Sequence, residues 1–457
     1  AIRFNGLIDD VRIYNSALSA AQIATLASGN DVTTNWTTSD PIANPTTLDA
    51  QQGGRVVYLV GESSVSLTLE NLTVRDGLIN NSGGGVYVNS GNATLSNVQI
   101  LSNTANAGGG IYVNSGNATL SNVQILSNRA GGGIGGGGVY VAGGGMATVS
   151  GGQIMSNTAF LGGGMHIRSG SATLSNVQIL SNWANMGGGM LIDPGNATLN
   201  NVQILSNTAF NCGGMEVYEG SATLSNVQIL SNLADRDGGG LCVEASGTAI
   251  VSGGQVVNNS ANYVGGGLAV YSGTLVVTNT TVSRNQANSL SYGGGAIYQS
   301  SGHTTIANGT IVSNTAATTS RSGIWLESGT LEIGNSIIAH NGITNNVVIS
   351  DGLFTSLGYN LTNSDAGAPF TVTTDLANTD PLLGPLQDNG GSTWTYALLP
   401  NSPALDRIPF GLNGCGTTIA IDQRGWLRPA LPGGKCDIGA YEAYEYLRFV
   451  YLPLIMK

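Results

Sequence analysis

The sequence predicts an all-β protein, a right-handed parallel β-helix of about twelve coils with a C-terminal cap region. Three observations carry that prediction. Near-identical words such as SNVQILSNTANAGGGIYVNSGNATLSN return about every 25 residues between Asn71 and Asn341, and a fixed period of that length marks a solenoid whose repeats bury their apolar faces only by stacking. Each repeat holds three short segments that alternate with period two and none with helical periodicity. Only Asn or Gly ever stands at two fixed slots of each coil, which is the signature of tight corners. The right hand follows from the general hand of parallel crossovers, and twelve coils at about 4.8 Å make a rod on the order of 60 Å long.

The corner columns are read by aligning the chain on itself. One runs Asn71, Asn97, Asn122, Gly151, Asn176, Asn201, Asn226, Gly253, Asn279, Asn308 and Asn335. The other, six residues on, runs Gly77, Asn103, Asn128, Asn157, Asn182, Asn207, Asn232, Asn259, Asn285, Asn314 and Asn341. Both slots are expected in the left-handed conformation, with stacked amides passing hydrogen bonds along the axis. Between corners, the inward pairs are Ile111 and Val113 in the GGG strand, Ala118 and Leu120 in the NATLSN strand, and Val123 and Ile125 in the NVQILSN strand, each repeated coil after coil.

Composition narrows the partners. Gly is 69 of 457 residues and only 9% are charged, yet 41% are hydrophobic, so periodic burial rather than disorder is expected. The net charge is −11 and the only lysines are Lys435 and Lys457. No basic patch is available for a phosphate backbone, so nucleic acid is excluded as a partner. No stretch reaches the roughly 20 apolar residues of a membrane span, and the pattern calls for no cofactor and no metal. Asp235 and Asp237 lack the further ligands of a calcium loop and are read as a turn.

The flanking segments divide the chain. Residues 1–29 give one strand and a short amphipathic helix, opening in mid-motif as though truncated or processed; residues 30–45 form a polar linker. The β-helix is expected over 46–365, a cap over 366–442, and an apolar tail over 443–457, read as a last strand or a sorting signal. GLIDDVRIYNSALSAAQI resembles the last strand of laminin-G-like jelly rolls, of which only a remnant would be present. The paired words GGGIY and I-x-x-N, as in Gly108 to Tyr112 and Ile125 to Asn128, resemble the GGAI and FxxN repeats of chlamydial polymorphic outer-membrane proteins, with Ile or Val in place of Phe. That resemblance implies a secreted or surface β-helix associated with adhesion. The words TDPLLGPLQDNGGSTWTYALLPNSPALD, IDQRGWLRP and CDIGAYE resemble the C-terminal region of choice-of-anchor Q proteins, which implies an exported bacterial protein.

Cysteines fit an oxidising compartment. Cys415 and Cys436 are expected to pair, closing a loop of some 20 residues for roughly 3 kcal/mol. Cys212 stands at the first Gly of its coil, while Cys242 aligns with Glu216. An offset of four extended residues, roughly 13 Å, predicts free thiols there.

Candidate functional residues are those the repeats do not share. The outward column of the GGG strand is read as Tyr87, Tyr112, Tyr140, His166, Leu191, Glu216, Cys242, Ala269, Ile297 and Trp325. Of these Tyr87, Tyr112, Tyr140, His166 and Trp325 are candidate binding residues, because aromatic stripes cover a strand or offer faces to sugar rings. Asp193, Glu216 and Glu244 form the best carboxylate cluster for acid and base chemistry, weighed against ordinary solvated positions on an outer face. On a second face Thr94 and Ser96, with their copies through Thr223 and Ser225, make a hydroxyl grid suited to an ordered ligand such as crystalline polysaccharide or ice, or serving only strand propensity and solubility. The edge before GGG expands at Gly131 to Gly135, Asp235 to Asp237, Asn288 to Tyr292 and Ala317 to Ser320, which marks a partner contact. These readings favour a non-catalytic extracellular, cell-surface, adhesin-like rod, binding polysaccharide or a host or neighbouring cell surface. The alternatives are a polysaccharide lyase or hydrolase, and a filament self-associating through its coil ends.

Overall fold

A computed structural model of the chain describes residues 46–317, 321–342, 345–364 and 370–444. The expected jelly-roll remnant of 1–29, the expected linker of 30–45, Thr318 to Ser320 and the tail beyond Tyr444 lie outside the described residues.

Successive coils pair in parallel, building a right-handed β-helix with three faces. The sheet that follows the GGG words has twelve strands, from Val57–Val60 through Ile111–Asn114 to Val347–Ile349. A broad sheet of 23 strands takes the other two segments of every coil, which fuse into single ten-residue strands at Asn117–Leu126 and Met146–Met155. Its first strand, Thr46–Asp49, pairs with Leu72–Arg75. A narrow third sheet of six strands runs from Trp183–Met186 to Thr315–Ala316 along the variable edge.

Register keeps like on like. Ala93, Ala118, Ala147 and Ala172 stack, as do Leu95, Leu120, Val149 and Leu174. These inward side chains, with Val113 and Ile125, are at most 2% exposed and form one continuous aliphatic core. Each coil therefore gains its apolar burial from its neighbours, at about 25 cal/mol per Å² removed from water.

The two Asn columns divide into different jobs. Every member of the first, Asn71 through Asn335 including Gly151 and Gly253, has φ between 47° and 70°. Its Asn side chains are exposed from Asn71 to Asn226 but buried at Asn279, Asn308 and Asn335, and amides meet in pairs such as Asn97 with Asn71 at 3.1 Å. The second column corrects the expectation. Its left-handed residue is the one before, Ser102, Ser127, Ser156, Ser181, Ser206 and Ser231, and that turn swings the following Asn into the interior. Asn103, Asn128, Asn157, Asn182, Asn207 and Asn232 are all at most 1% exposed. In each, the backbone N–H and Nδ2 both donate to Oδ1 of the next coil's Asn, and Nδ2 also donates to a carbonyl of the preceding coil; for Asn128 these are 2.9, 3.0 and 2.9 Å. A buried corner thus meets its hydrogen-bonding needs without water.

The GGG corner needs glycine because coils touch there. A Cβ on Gly109 would lie 2.4 Å from the Arg129 carbonyl oxygen and one on Gly110 2.6 Å from that of Gly138.

The C-terminal region closes the rod and then turns back. Phe370 packs edge-on against Phe354, with ring centroids 5.1 Å apart, at the end of the core. Residues from Leu383 onward lie along the flank rather than over the end. A hairpin of Leu383–Gln387 and Thr395–Leu398 brings Leu386, Tyr396 and Leu398, with Ala404 and Ile408, onto Val257, Val312, Ala339 and Leu361 of the broad sheet's outer side. The Cys415–Cys436 disulfide and buried Asp422–Arg424 (2.7 Å) and Glu442–Arg428 (3.1 Å) ion pairs hold this flank domain. Among the described residues no helix is long and apolar enough to cross a membrane.

Candidate functional site: two outer faces

The outward column of the GGG sheet reads Tyr58, Tyr87, Tyr112, Tyr140, His166, Leu191, Glu216, Cys242, Ala269, Tyr298, Trp325. Ile297, assigned to this column from sequence, points into the core, and Tyr298 takes its place. Outward does not mean solvated here. Tyr140 is 3%, Trp325 5%, and His166 and Glu216 are 0% exposed, because the chain entering the GGG corner folds over this column.

The aromatics are a stack. Ring centroids from Tyr58 through Tyr87, Tyr112 and Tyr140 to His166 lie 5.1, 5.0, 5.1 and 4.9 Å apart, with Tyr87 and Tyr112 parallel at 1° and the other pairs tilted by 50°, 45° and 56°, all within aromatic contact. The Arg55 guanidinium covers the outer end, 4.4 and 4.6 Å from the Tyr58 and Tyr87 centroids. Trp325 packs on Tyr298 and under Arg321.

Beyond His166 the column holds Leu191 and then one acid, Glu216, with Asp193 and Glu244 beside it. Glu216 was expected on a solvated face, yet both its carboxylate oxygens are buried without a hydrogen-bond partner. Burial first, and the charges of Glu244 and Asp193 next, push its carboxyl well above the usual range; burial and Asp237 push Glu244 up as well. The structure thus brings Asp193, Glu216 and Glu244 together electrostatically, with the middle one sealed. His166 Nδ1 faces the Ile134 carbonyl at 3.1 Å and must donate to it, leaving Nε2 unpartnered. Burial lowers its pKa to about 4, so it is neutral at pH 7.

The same corner overturns the expectation of free thiols. Cys212 and Cys242 form a disulfide with Cα atoms 5.6 Å apart. The four intervening positions are not extended: Cys212 has φ 58°, and a left-handed residue there aims its Cβ at the residue four on. The equivalent Cβ on Gly162 would lie 2.8 Å from Cβ of His166, and one on Gly238 2.0 Å from Sγ of Cys242. Cys212 therefore hangs over the column that contains Cys242. Glu244 Oε1 lies 3.8 Å from Cys212 Sγ.

The broad sheet presents a different face. Thr68, Thr94, Thr119, Thr148, Thr173, Thr198 and Thr223 stack in register, all exposed. Beside them runs Ser96, Ser121, Ser150, Ser175, Asn200 and Ser225, and past the corner a Gln column whose amides link along the axis, Gln153 to Gln178 at 2.6 Å and Gln178 to Gln203 at 2.9 Å. The six coil segments 92–101, 117–126, 146–155, 171–180, 196–205 and 221–230 contain no Asp, Glu, Lys or Arg. A molecule of net charge −11 thus carries a flat, repetitive and uncharged surface. Sequence showed the Thr and Ser columns but not the limit of the face, which is where the flank domain begins and Gln228 Nε2 donates to the Ser392 carbonyl at 2.9 Å.

The family described as a right-handed β-helix region matches residues 55–232 and, in overlap, 109–287, together just over half the sequence. The chain belongs to that family. No curated protein and no solved structure matches this β-helix. Membership accounts for the coils, the core and the stacked corners. What distinguishes this β-helix within its own repeats is the aromatic column with its sealed Glu216 on one face and the charge-free grid on another.

Proposed function

We propose that this β-helix is a non-catalytic module of an exported bacterial surface protein and that its broad face binds a regular, uncharged polysaccharide. The observation that carries the reading is the charge-free grid: hydroxyl and amide columns repeat at about 4.8 Å over six coils, with no charge to desolvate. Such a surface offers many weak, equally spaced donors and acceptors, and a polymer of repeating hydroxyls engages them together. Four cysteines in two disulfides support an oxidising compartment, as do the likenesses of its repeats and C-terminal words to surface proteins. The carboxylate cluster gives the lyase or hydrolase reading little support, because Glu216 is closed to solvent and a general acid must reach the bond it protonates.

The test is retention on insoluble cellulose, chitin and other neutral polysaccharides, with pectate as the acidic control. Neutral polymer should retain the protein, and Thr173→Lys with Thr198→Lys, two exposed changes in the middle of the grid, should release it. Retention only on pectate, wild-type retention by the lysine variant, or formation of new chain ends in any polymer would overturn the reading.

A further inference from the structure

The uncharged grid runs into a pocket where the flank domain meets the rod. Its walls come from both parts: Ser225, Ser252, Gly253 and Asn279 from three successive coils, and Ile421 and Arg424 from the flank domain. The cavity is about 240 Å³, the space of roughly eight bulk waters. That is the scale of one sugar unit rather than of a chain.

A gap in the corner column creates it. Asn226 and Asn279 flank Gly253, which has φ 70° and lacks the side chain that most corners carry. Where a Cβ would begin at Gly253, its nearest neighbours are the mobile end of Asn226, Oδ1 at 2.4 Å, and the Gln423 carbonyl oxygen at 3.8 Å. Elsewhere the glycine corner at Gly151 faces solvent, since no flank domain covers it.

The pocket has a polar preference. Asn279 is 5% exposed, and its Nδ2 donates to the Ile421 carbonyl at 2.8 Å, which fixes the amide's orientation. Its Oδ1 is sealed from solvent with no partner, so the pocket's accessible hydroxyls are those of the half-buried Ser225 and Ser252. The cation beside it is already matched. Arg424 gives Nε and Nη2 to Asp422 at 2.9 and 2.7 Å, Nη1 to the Asn389 carbonyl at 3.1 Å and Nη2 also to that of Glu442. A carboxylate or phosphate finds no open fork there, whereas a sugar hydroxyl can exchange hydrogen bonds with Ser225 and Ser252.

We infer that this pocket is a subsite for one neutral sugar unit, whose hydroxyls exchange hydrogen bonds with Ser225 and Ser252. The inference rests on the reading of the grid as a neutral-polysaccharide face, and it assigns the pocket to a unit of that polymer where it meets the flank domain.

Calorimetry, and the fluorescence of Trp426 on which the pocket-lining Arg424 stacks at 4.0 Å, test it with soluble gluco-, manno-, galacto- and chito-oligosaccharides and with oligogalacturonate. One neutral series should bind. Gly253→Asn restores the residue found at Asn226 and Asn279 in the same column and fills the cavity; it should weaken that binding at least tenfold with an unchanged melting temperature. Ser252→Asn, the residue at Asn200 of its own column, narrows the mouth and should weaken it in the same direction if Gly253→Asn proves unstable. Preference for oligogalacturonate, no binding by any neutral series, or wild-type affinity in folded Gly253→Asn and Ser252→Asn would overturn the subsite. The two readings fail separately. Retention on insoluble polymer reports the grid, and Gly253→Asn should keep it; oligosaccharide binding without retention would leave the subsite standing and remove the grid.

Discussion

Cys212 is bonded to Cys242 across neighbouring coils, one residue standing in a corner slot that is glycine in the adjacent coils and the other in the strand column beneath it. The bond closes a span of 30 residues, and the chain-entropy account gives such a loop about 3–4 kcal/mol. Cys212→Gly with Cys242→Ala installs the corner's usual residue and the Ala269 of the next coil, so it removes the link without a clash. The double variant should melt lower than wild type, and urea titrations should show the loss centred on these coils. An unchanged melting temperature would mean that stacking alone holds them.

Glu216 should be a liability that grows with pH. Its carboxyl titrates well above its ordinary value because burial and the neighbouring acids penalise the anion. Between its unfolded pKa, near 4.5, and its raised folded pKa, the native state binds more protons than the unfolded state. Stability therefore falls as pH rises through that window. Glu216→Leu places the residue of Leu191, one coil earlier in register, in the same buried site. It should raise the urea midpoint and flatten its decline from pH 5 to pH 9. A wild-type midpoint that climbs over that range would contradict the buried, unpartnered carboxyl.

Much of this was legible in the sequence, and the exceptions share a cause. Period, strand alternation and the Asn and Gly corners sufficed for the β-helix, since each depends on contacts between identical positions of successive coils. The Ala118 and Leu120 column needed nothing more. The burial of Tyr140, His166 and Glu216 did not show, because alternation says only that a side chain leaves the core, and the fold of the entering edge decides whether it reaches solvent. The Cys212 pairing was hidden for the same reason: spacing was counted along an extended strand, while one left-handed residue doubled the chain back. The flank domain's return along Val257 and Val312 has no periodic sign, although the change from Leu205 and Leu230 to the shorter Val257, Ser283 and Val312 at one column was a clue to a covered surface.

The Asn ladder should be sensitive to a single break. Asn182 donates to the Ile154 carbonyl and to Asn207 Oδ1, and its own Oδ1 accepts from Asn157 N and Nδ2. Asn182→Ala leaves the Asn157 N–H without its acceptor and takes one bond each from Asn157 Nδ2, Asn207 Oδ1 and the Ile154 carbonyl, and at roughly 1–3 kcal/mol for an orphaned group the loss should be about 3 kcal/mol. Asn176→Ala, at an exposed corner, loses mainly a left-handed preference and should cost about 1 kcal/mol. Equal losses in paired thermal melts would refute the division of the two columns into buried ladder and exposed corner.

His166 should give the opposite pH sign to Glu216, two coils along the same face. Its pKa falls from 6.5 to about 4 because charging the ring requires burying a cation with Nε2 unpartnered and Arg168 nearby. Between pH 6.5 and about 4 the unfolded state binds more protons, so stability rises with pH and is lost as the solution is acidified, by up to roughly 3 kcal/mol over that window. His166→Leu again borrows Leu191 from the neighbouring coil and removes the titrating group. It should leave the urea midpoint at pH 7 little changed and raise it at pH 4.5. A variant as acid-sensitive as wild type would place the proton uptake elsewhere, on carboxylates rather than on this ring.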